Sequence, residues 1–341
     1  MEIHRLFANR LFTPALFVAL CLISTATNPY LQYLLNLILV YVVVAVGQMI
    51  VLGFAGQFAF ANAAFMGIGA YTVALLGSHF GISYWVSLPA AGVLCAVVGC
   101  IVGLPALRLR RVYLGLMTMG FAELCYWLFL HWRDLTLGTD GVKVEAPTFF
   151  GIRLDTDNAA FFVIVIATFA MVLLAKAILA SRYGRAFIAI RENELVARCN
   201  GINVPLYKTL AFTLSGFYAG IGGGLFALAV RFVAPDTFNL LQVVLHFAIV
   251  MVGGVGTLSG ALLGALFLTM LPEVLRGTQA AQEMMYGVLL VGVIVFMPRG
   301  VAGYLIERRI LPPEVLVHGW REEVRERDGI PQADAKPSTA E

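Results

Sequence analysis

The sequence has few charged residues, and they are unevenly distributed. Charged side chains make up 13% of the chain and hydrophobic ones 60%, whereas a soluble domain has about 25% and about 45–50%. Residues 11–107 contain no Asp, Glu, Lys or Arg. A soluble fold cannot keep so long a stretch uncharged, because its surface must face water. The composition excludes a soluble protein and predicts an all-α polytopic membrane protein.

The sequence also lacks an energy source or catalytic centre of its own. No Gly-x-x-x-x-Gly-Lys-Ser/Thr phosphate-binding loop occurs. Well inside the apolar runs, Glu123 and His246 are the only Asp, Glu, Lys, Arg or His residues, which is too few for a proton or sodium relay. We expect no enzyme activity, no metal and no cofactor on this chain, and the lack of both systems indicates that energy arrives from another subunit. The five cysteines are odd in number and lie mostly in apolar runs, which predicts core residues rather than disulfides.

Ten apolar runs are candidates for membrane crossings, which need about 20 residues each. Glycines around Gly53–Gly56 and Gly253–Gly256 are able to break helices, so eight to ten transmembrane helices are expected. Residues 1–310 form one transmembrane domain in this interpretation, and residues 311–341 form a partly disordered cytoplasmic tail. The runs are 11–28, 30–52, 57–78, 84–107, 112–131, 159–180, 208–231, 238–255, 257–274 and 284–299.

Loop charges predict the orientation of these runs. Segment 181–208 has five basic and two acidic residues, whereas loop 132–158 has three basic and five acidic residues. Basic loops favour the cytoplasm. With ten crossings and both termini in the cytoplasm, 181–208 lies in the cytoplasm and 132–158 in the periplasm.

Residues 181–203, which we call the coupling segment, interrupt the apolar sequence with a charged stretch. Their apolar residues are too few to span a membrane, so a short helix along the inner face is expected, ending at Asn200–Gly201. Glu194 and Arg198 are four residues apart and could pair. From the residues alone, two interpretations remain: a loop resting on lipid headgroups, or a docking site for a cytoplasmic partner.

Several motifs, taken together and in order, resemble those of one transporter family. They cover roughly residues 40–305, and with them the chain resembles the permease subunits of ABC importers for branched-chain amino acids, in particular the M-type of two paralogous permeases. The motifs are GFAGQFAFANAAFMGIGAYTVALL, YLGLMTMGFAELCYWL, LTLGTDGV, SRYGRAFIAIRENELVARCNGINV, YKTLAFTLSGFYAGIGGGLFA, GGVGTLSGALLGA, LPEVLR and MPRGVAGYL.

The resemblance implies a multi-pass subunit of the bacterial inner membrane with several partners. These are a homologous second permease, two cytoplasmic ATP-binding subunits and an external substrate-binding protein. It also implies that the coupling segment docks into a groove of the ATPase. The residues this assigns to ATPase coupling are Gly184, Arg185, Arg191, Glu192, Asn193, Glu194 and Gly201.

The stretch that follows the second run departs from the family pattern. Members usually read Gly-Gln-x-Ser-x-Gly-His, but here Ala59, Ala61 and Asn62 replace the Ser, Gly and His. If this stretch lines the substrate path, it has lost hydroxyl and imidazole groups. A urea-like or amide-like substrate therefore stays open beside branched-chain amino acids. The candidate path or gate residues are Gln57, Asn62 and Glu123.

Glu123 lies about halfway along the run 112–131. A carboxylate at that depth costs about 2.5–3.5 kcal/mol on insertion scales, so we expect it to face the bundle interior or a wet cavity. It either forms a structural hydrogen bond between helices or contributes to the substrate path.

Two other classes of protein are weighed against the importer. His246 and Ser259 would be the base and nucleophile of an intramembrane serine hydrolase, but the surrounding spacing does not fit a nucleophile motif. A passive channel or facilitator would need no ATPase, and copurification of an ATPase subunit would exclude it.

Overall fold

The backbone is almost entirely helical where the structure describes it, which confirms the predicted all-α class. The computed structural model describes residues 29–106, 111–144, 157–274 and 300–307, with Leu109, 148–149, 152–153, Gly287 and Gly292. The helices are α1 (Pro29–Gln48), α2 (Asn62–Phe80), α3 (Tyr84–Ala106), α4 (Arg111–His131), α5 (Arg133–Thr136), α6 (Asp157–Ala180), α7 (Arg182–Glu192), α8 (Glu194–Cys199), α9 (Val204–Val230), α10 (Leu240–Gly253), α11 (Leu258–Val274) and α12 (Gly300–Glu307).

Six helices of the described part are long and apolar enough to cross a membrane, so the expected eight to ten crossings are not confirmed. The shortfall has two sources. Run 11–28 and most of 284–299 lie outside the described residues, as does the tail 311–341. Helices α10 and α11 have only 14 and 17 residues, or about 21 and 26 Å at 1.5 Å per residue, which is less than a hydrocarbon core of about 30 Å.

Helix α9 is the centre of the bundle and packs against α1, α2 and α3. Its glycines allow this, because they bring backbones into direct contact. A Cβ added at Gly216 would collide with the carbonyl of Cys95 on α3, and one at Gly223 with the carbonyl of Met66 on α2. At these points the helices approach each other closely, backbone against backbone.

The helix that begins at Pro29 ends in an irregular stretch, as the glycines at 53–56 predicted. Residues Met49–Phe54 form a π-helix, a rare conformation that is frequent at functional sites. Residues 56–61 have no regular structure, and α2 begins only at Asn62. We call residues 49–61 the unwound segment.

Contacts between distant segments define the two ends of the bundle. At one end, a Cβ at Gly53 would lie 2.9 Å from the backbone nitrogen of Gly256. At the other end, β1 (Val142–Lys143) pairs antiparallel with β4 (Phe232–Val233), and Gln32 donates a hydrogen bond to Asn158. A separate hairpin joins β2 (Thr148–Phe149) to β3 (Ile152–Arg153).

Candidate functional site

The coupling segment consists of two short helices, α7 and α8, rather than the single helix expected from the sequence. Asn193 separates them, because its backbone is extended, with φ −157° and ψ 112°. Its side-chain oxygen accepts hydrogen bonds from the backbone N–H of Leu195 and Val196 and so caps α8. Helix α8 ends at Cys199, with Asn200 and Gly201 in the following turn, as predicted.

Apolar and aromatic contacts hold α7 against the bundle. Phe187 is fully buried, and its ring meets Tyr207 of α9 edge-to-face at 6.2 Å between centroids. Gly184 is also buried, and a Cβ there would collide with the backbone of Leu179 at the end of α6. Gly184 therefore serves close packing inside the subunit and presents no surface to a partner.

An ion pair fixes α8 to the first turn of α9. Lys208 Nζ lies 2.6 Å from Glu194 Oε1, and the lysine side chain is only 9% exposed. The expected pairing of Glu194 with Arg198 is therefore replaced by a tertiary pair. A mostly buried lysine in apolar sequence needs a carboxylate partner, and Glu194 supplies it.

The outward face of the coupling segment combines charges with two exposed apolar side chains. Leu195 is 71% and Val196 55% exposed. Arg185 is exposed and donates to the carbonyl of Ala180, 3.3 Å away. The pKa of Arg182 is raised, first because its guanidinium donates to the Tyr183 hydroxyl. The other exposed polar residues of this face are Glu192, Asn193, Arg198 and Asn200.

Arg191, at the end of α7, points into the subunit. Its Nη1 donates a hydrogen bond to the carbonyl of Gly53 in the unwound segment. The side chain is half-buried and also packs against Gly56, where a Cβ would lie 2.9 Å from Arg191 Cγ. Arg191, one of the seven predicted coupling residues, therefore reaches the unwound segment.

Gln57 and Asn62, two of the predicted path residues, are buried, and both donate hydrogen bonds to backbone carbonyls. Gln57 Nε2 donates to the carbonyl of Ala55. Asn62 Nδ2 donates to the carbonyl of Val44, and its Oδ1 accepts a 2.8 Å hydrogen bond from Ser215 of α9. These bonds satisfy the polar groups that a break at membrane depth exposes.

Glu123 lies on the outward face of α4, not toward the bundle interior. The α-helical period places it in line with other exposed residues, while Ala122 and Cys125 face the core. We call this exposed stripe the α4 face. Its members are Tyr113, Leu116, Gly120, Glu123, Leu124, Trp127 and His131.

Acidic and aromatic groups lie along the C-terminal half of the α4 face. Tyr126 donates to Asp236 at 3.4 Å and lies within electrostatic range of Glu123. Trp127 stacks on His131 with ring centroids 4.3 Å apart. Two carboxylates and an indole therefore lie along one side of this subunit.

His246 is engaged in helix packing. Its Nε2 lies 3.1 Å from Gln242 Nε2, and its ring meets Tyr41 edge-to-face at 5.8 Å. Within the described residues, Tyr41 and Gln242 are joined by a further hydrogen bond of 3.2 Å. The imidazole thus belongs to a polar contact between α1 and α10.

The sequence matches a known family over most of its length. The family of branched-chain amino acid transport system permease components matches residues 30–298. The chain belongs to this family. It is a permease subunit of an ABC importer and a multi-pass protein of the inner membrane.

Characterised relatives of this permease include two proteins named for branched-chain amino acid transport. The high-affinity branched-chain amino acid permease LivM of Escherichia coli K12 is 32% identical over 289 residues, 78% of this chain and 68% of that protein. LivM of Salmonella typhimurium LT2 is 32% identical over 286 residues, 77% and 67%. The autoinducer 2 import permease LsrC of Salmonella paratyphi B is 30% identical over 239 residues, 65% and 66%. No solved structure matches the chain.

The permease also contains residues whose role the sequence did not predict. In the sequence, Lys208 is one of the five basic residues of segment 181–208. A lysine near the start of an apolar helix is a signal of a buried ion pair. Thr118 accepts a 2.9 Å hydrogen bond from the backbone N–H of Phe60, and Ser215 contacts Asn62. Single hydroxyls within apolar runs carry no distinguishing pattern, so these two contacts had no signal in the sequence.

Proposed function

We propose that this permease carries branched-chain or related amino acids between itself and a second, homologous permease. Two cytoplasmic ATP-binding subunits drive the cycle, and an external binding protein delivers the substrate. The similarity to the two LivM proteins, whose names state that substrate class, supports the proposal. In this assembly the chain performs no covalent chemistry.

The observation that carries the proposal is the exposed carboxylate of Glu123. It lies about 18 Å along α4 at 1.5 Å per residue, near the middle of a hydrocarbon core of about 30 Å. An acidic side chain that faced lipid at this depth would cost about 2.5–3.5 kcal/mol. The α4 face therefore borders a water-filled pathway that the second permease closes.

The chemistry of the α4 face suits an amino-acid substrate. The carboxylates of Glu123 and Asp236 attract the substrate ammonium group, and Trp127 offers an indole face to the same cation. Leu116 and Leu124 are 63% and 56% exposed and provide apolar surface for a branched side chain. An amide without an ammonium group would gain less from these carboxylates.

The exposed face of the coupling segment suits ATPase docking. Leu195 and Val196 are its exposed apolar side chains, and Arg185, Glu192 and Arg198 are exposed charged residues of the same segment. Such a combination of apolar and charged side chains is typical of protein interfaces. ATP binding draws the two ATPases together, moves the docked segments and switches the pathway between outward and inward access.

The test is uptake into proteoliposomes that contain both permeases, the ATPases and the substrate-loaded binding protein. Glu123→Gln keeps size and hydrogen bonding but removes the charge, so we expect uptake of a branched-chain amino acid to fall at least tenfold while the complex still assembles. Asp134→Asn is the matched control, because it removes an exposed carboxylate beyond the end of α4. Unchanged uptake by Glu123→Gln would show that the charge of Glu123 plays no part in the substrate pathway.

The same preparation tests docking and energy supply. Leu195→Asp places a charge at an exposed apolar site of the coupling segment, so it should abolish ATPase copurification. Leu137→Asp, at an exposed site of the opposite end, should leave copurification unchanged. Substrate uptake by the permeases without ATPase subunits would instead identify a passive facilitator.

A further inference from the structure

Arg191 connects the coupling segment to the membrane part of the subunit through two separate contacts. Its guanidinium donates to the carbonyl of Gly53, 138 residues away in sequence. Its stem packs on Gly56, where a Cβ would lie 2.9 Å from Cγ, 3.2 Å from Cβ and 3.3 Å from Cα of Arg191. Gly56 has φ +66°, a left-handed conformation that glycine adopts without strain. The backbone of the unwound segment thus lies directly against the end of α7.

The contact lies at the C-terminal end of the π-helix, where the backbone carbonyls lack partners within the helix. Gly53 lies in the last turn of the π-helix Met49–Phe54, and the last carbonyls of a helix lack partners within it. A guanidinium forms a charge-assisted hydrogen bond to such a carbonyl, which is stronger than a neutral one. Arg191 therefore fixes the point at which the first described span stops being helical.

Beyond Gly53, the unwound segment touches two elements of the bundle. Phe60 donates through its backbone N–H to Thr118 Oγ1 on α4, 2.9 Å away. The Phe60 ring meets Phe247 of α10 with centroids 5.0 Å apart. Thr118 is five residues before Glu123 on the same helix, so a shift of the unwound segment acts on the helix that carries the α4 face.

The segment also reaches the turn between α10 and α11. Gly256 donates through its backbone N–H to Met49 Sδ at 3.1 Å, and a Cβ at Gly53 would lie 2.5 Å from the same sulfur. A Cβ at Gly53 would also lie 2.9 Å from the backbone nitrogen of Gly256, so a displacement at Gly53 reaches this turn through close contact, both directly and through the Met49 side chain.

We infer that Arg191 is a positioning residue that transmits movement of the coupling segment to the unwound segment and hence to the α4 face. This inference rests on the proposed function, and it changes one expectation from the sequence. Arg191 acts inside the subunit, while ATPase docking falls to the exposed residues of α7 and α8.

The test compares two arginines of the same helix in the reconstituted importer. Arg191→Gln removes the charged donor to Gly53. Arg185→Gln is the comparison, because Arg185 lies on the exposed docking face and bonds only locally to Ala180 among its described hydrogen bonds, so any loss of docking should lower hydrolysis and uptake together. Three quantities are measured: ATPase copurification, ATP hydrolysis stimulated by the loaded binding protein, and substrate transported per ATP. For Arg191→Gln we expect association and hydrolysis within about twofold of wild type and transport per ATP reduced at least tenfold. For Arg185→Gln we expect an unchanged ratio.

Other outcomes would overturn the inference without touching the proposed function. An unchanged transport-to-ATP ratio in Arg191→Gln would exclude transmission, and parallel loss of association and uptake would make Arg191 an ATPase contact. If Arg191→Gln does not assemble, Arg191→Lys, which keeps the charge but lacks the planar fork, is judged by the same ratio. Failure of both to assemble would show a folding role instead. Absence of ATP-driven uptake in the wild-type complex would contradict the proposed function itself.

Discussion

Single polar side chains hold together helices that otherwise offer each other only apolar surface. Asn62 bridges the carbonyl of Val44 on α1 and the hydroxyl of Ser215 on α9. Measured hydrogen bonds between membrane helices average about 0.6 kcal/mol, so one such residue does little for total stability. Its effect is directional, since it sets where α2 starts relative to α1 and α9.

At the same scale, we predict that Gly56→Ala destabilises the permease more than Gly81→Ala. Both glycines have a left-handed φ, +66° and +61°, so alanine costs about 1–2 kcal/mol in backbone strain at either site. Only Gly56 also lies against Arg191, whereas nothing lies within 4 Å of a Cβ at Gly81. Thermal unfolding in detergent should show the larger drop in Tm for Gly56→Ala, and equal drops would mean that Arg191 yields to the added methyl group.

At the scale of whole helices, the bounds of several long apolar runs were predicted closely, whereas the start of α2 was not. Runs 84–107, 112–131 and 159–180 nearly coincide with α3, α4 and α6, because a membrane span is specified by its own residues. The run 57–78 does not, since α2 starts only at Asn62. Its first residues are not helical, and the backbone N–H groups of Gln57 and Phe60 donate to Val51 and Thr118, which lie outside the run.

The position of the candidate site in the chain was predictable from the sequence, but the residues with which its side chains pair were not. The charge pattern located the coupling segment, and the resemblance implies its role in ATPase coupling, which stays a prediction. The helical spacing rule then paired Glu194 with Arg198, whereas Glu194 bonds Lys208 and Arg191 bonds Gly53. Both true partners lie beyond the reach of a rule that considers only neighbours within one helix.

The Glu194–Lys208 pair allows a test of how α8 is held. We predict that Glu194→Gln lowers the stability of the permease by roughly 1–3 kcal/mol, because it leaves a mostly buried lysine without its counter-charge. Adding Lys208→Met should recover part of the loss. A double-mutant cycle from denaturation in detergent measures this coupling, and additive effects of the two changes would show that the pair contributes nothing.

For the whole molecule, contacts between distant loops sort the chain into two ends. Segments near 53–56, 181–203 and 256 meet at one end, and segments 142–143 and 232–233 pair at the other. This grouping agrees with the alternation expected from the loop charges. Which end faces the cytoplasm stays a prediction from those charges.

Accessibility to a membrane-impermeant maleimide tests that orientation. Cys199 is exposed on α8, and Asp140 is exposed at the opposite end. In a background without other cysteines, we predict that intact cells label Asp140→Cys but not Cys199, and that Cys199 reacts after permeabilisation without ATPase subunits. If intact cells label Cys199 but not Asp140→Cys, the orientation of the protein is the reverse of the predicted one.

The carboxylate on the α4 face has a consequence for how the cell makes this protein. If a second permease covers the α4 face, as proposed, an unassembled copy keeps the insertion penalty of the exposed Glu123 carboxylate and is poorly suited to remain in the bilayer. We predict that the orphan chain, expressed without the second permease, is cleared by membrane proteases faster than the assembled one. Pulse–chase labelling would measure the half-lives. Glu123→Leu should lengthen the half-life of the orphan chain, whereas the control Asp134→Asn should leave it unchanged. Subunit stoichiometry would then be set by selective turnover, with one side chain acting as the degradation signal.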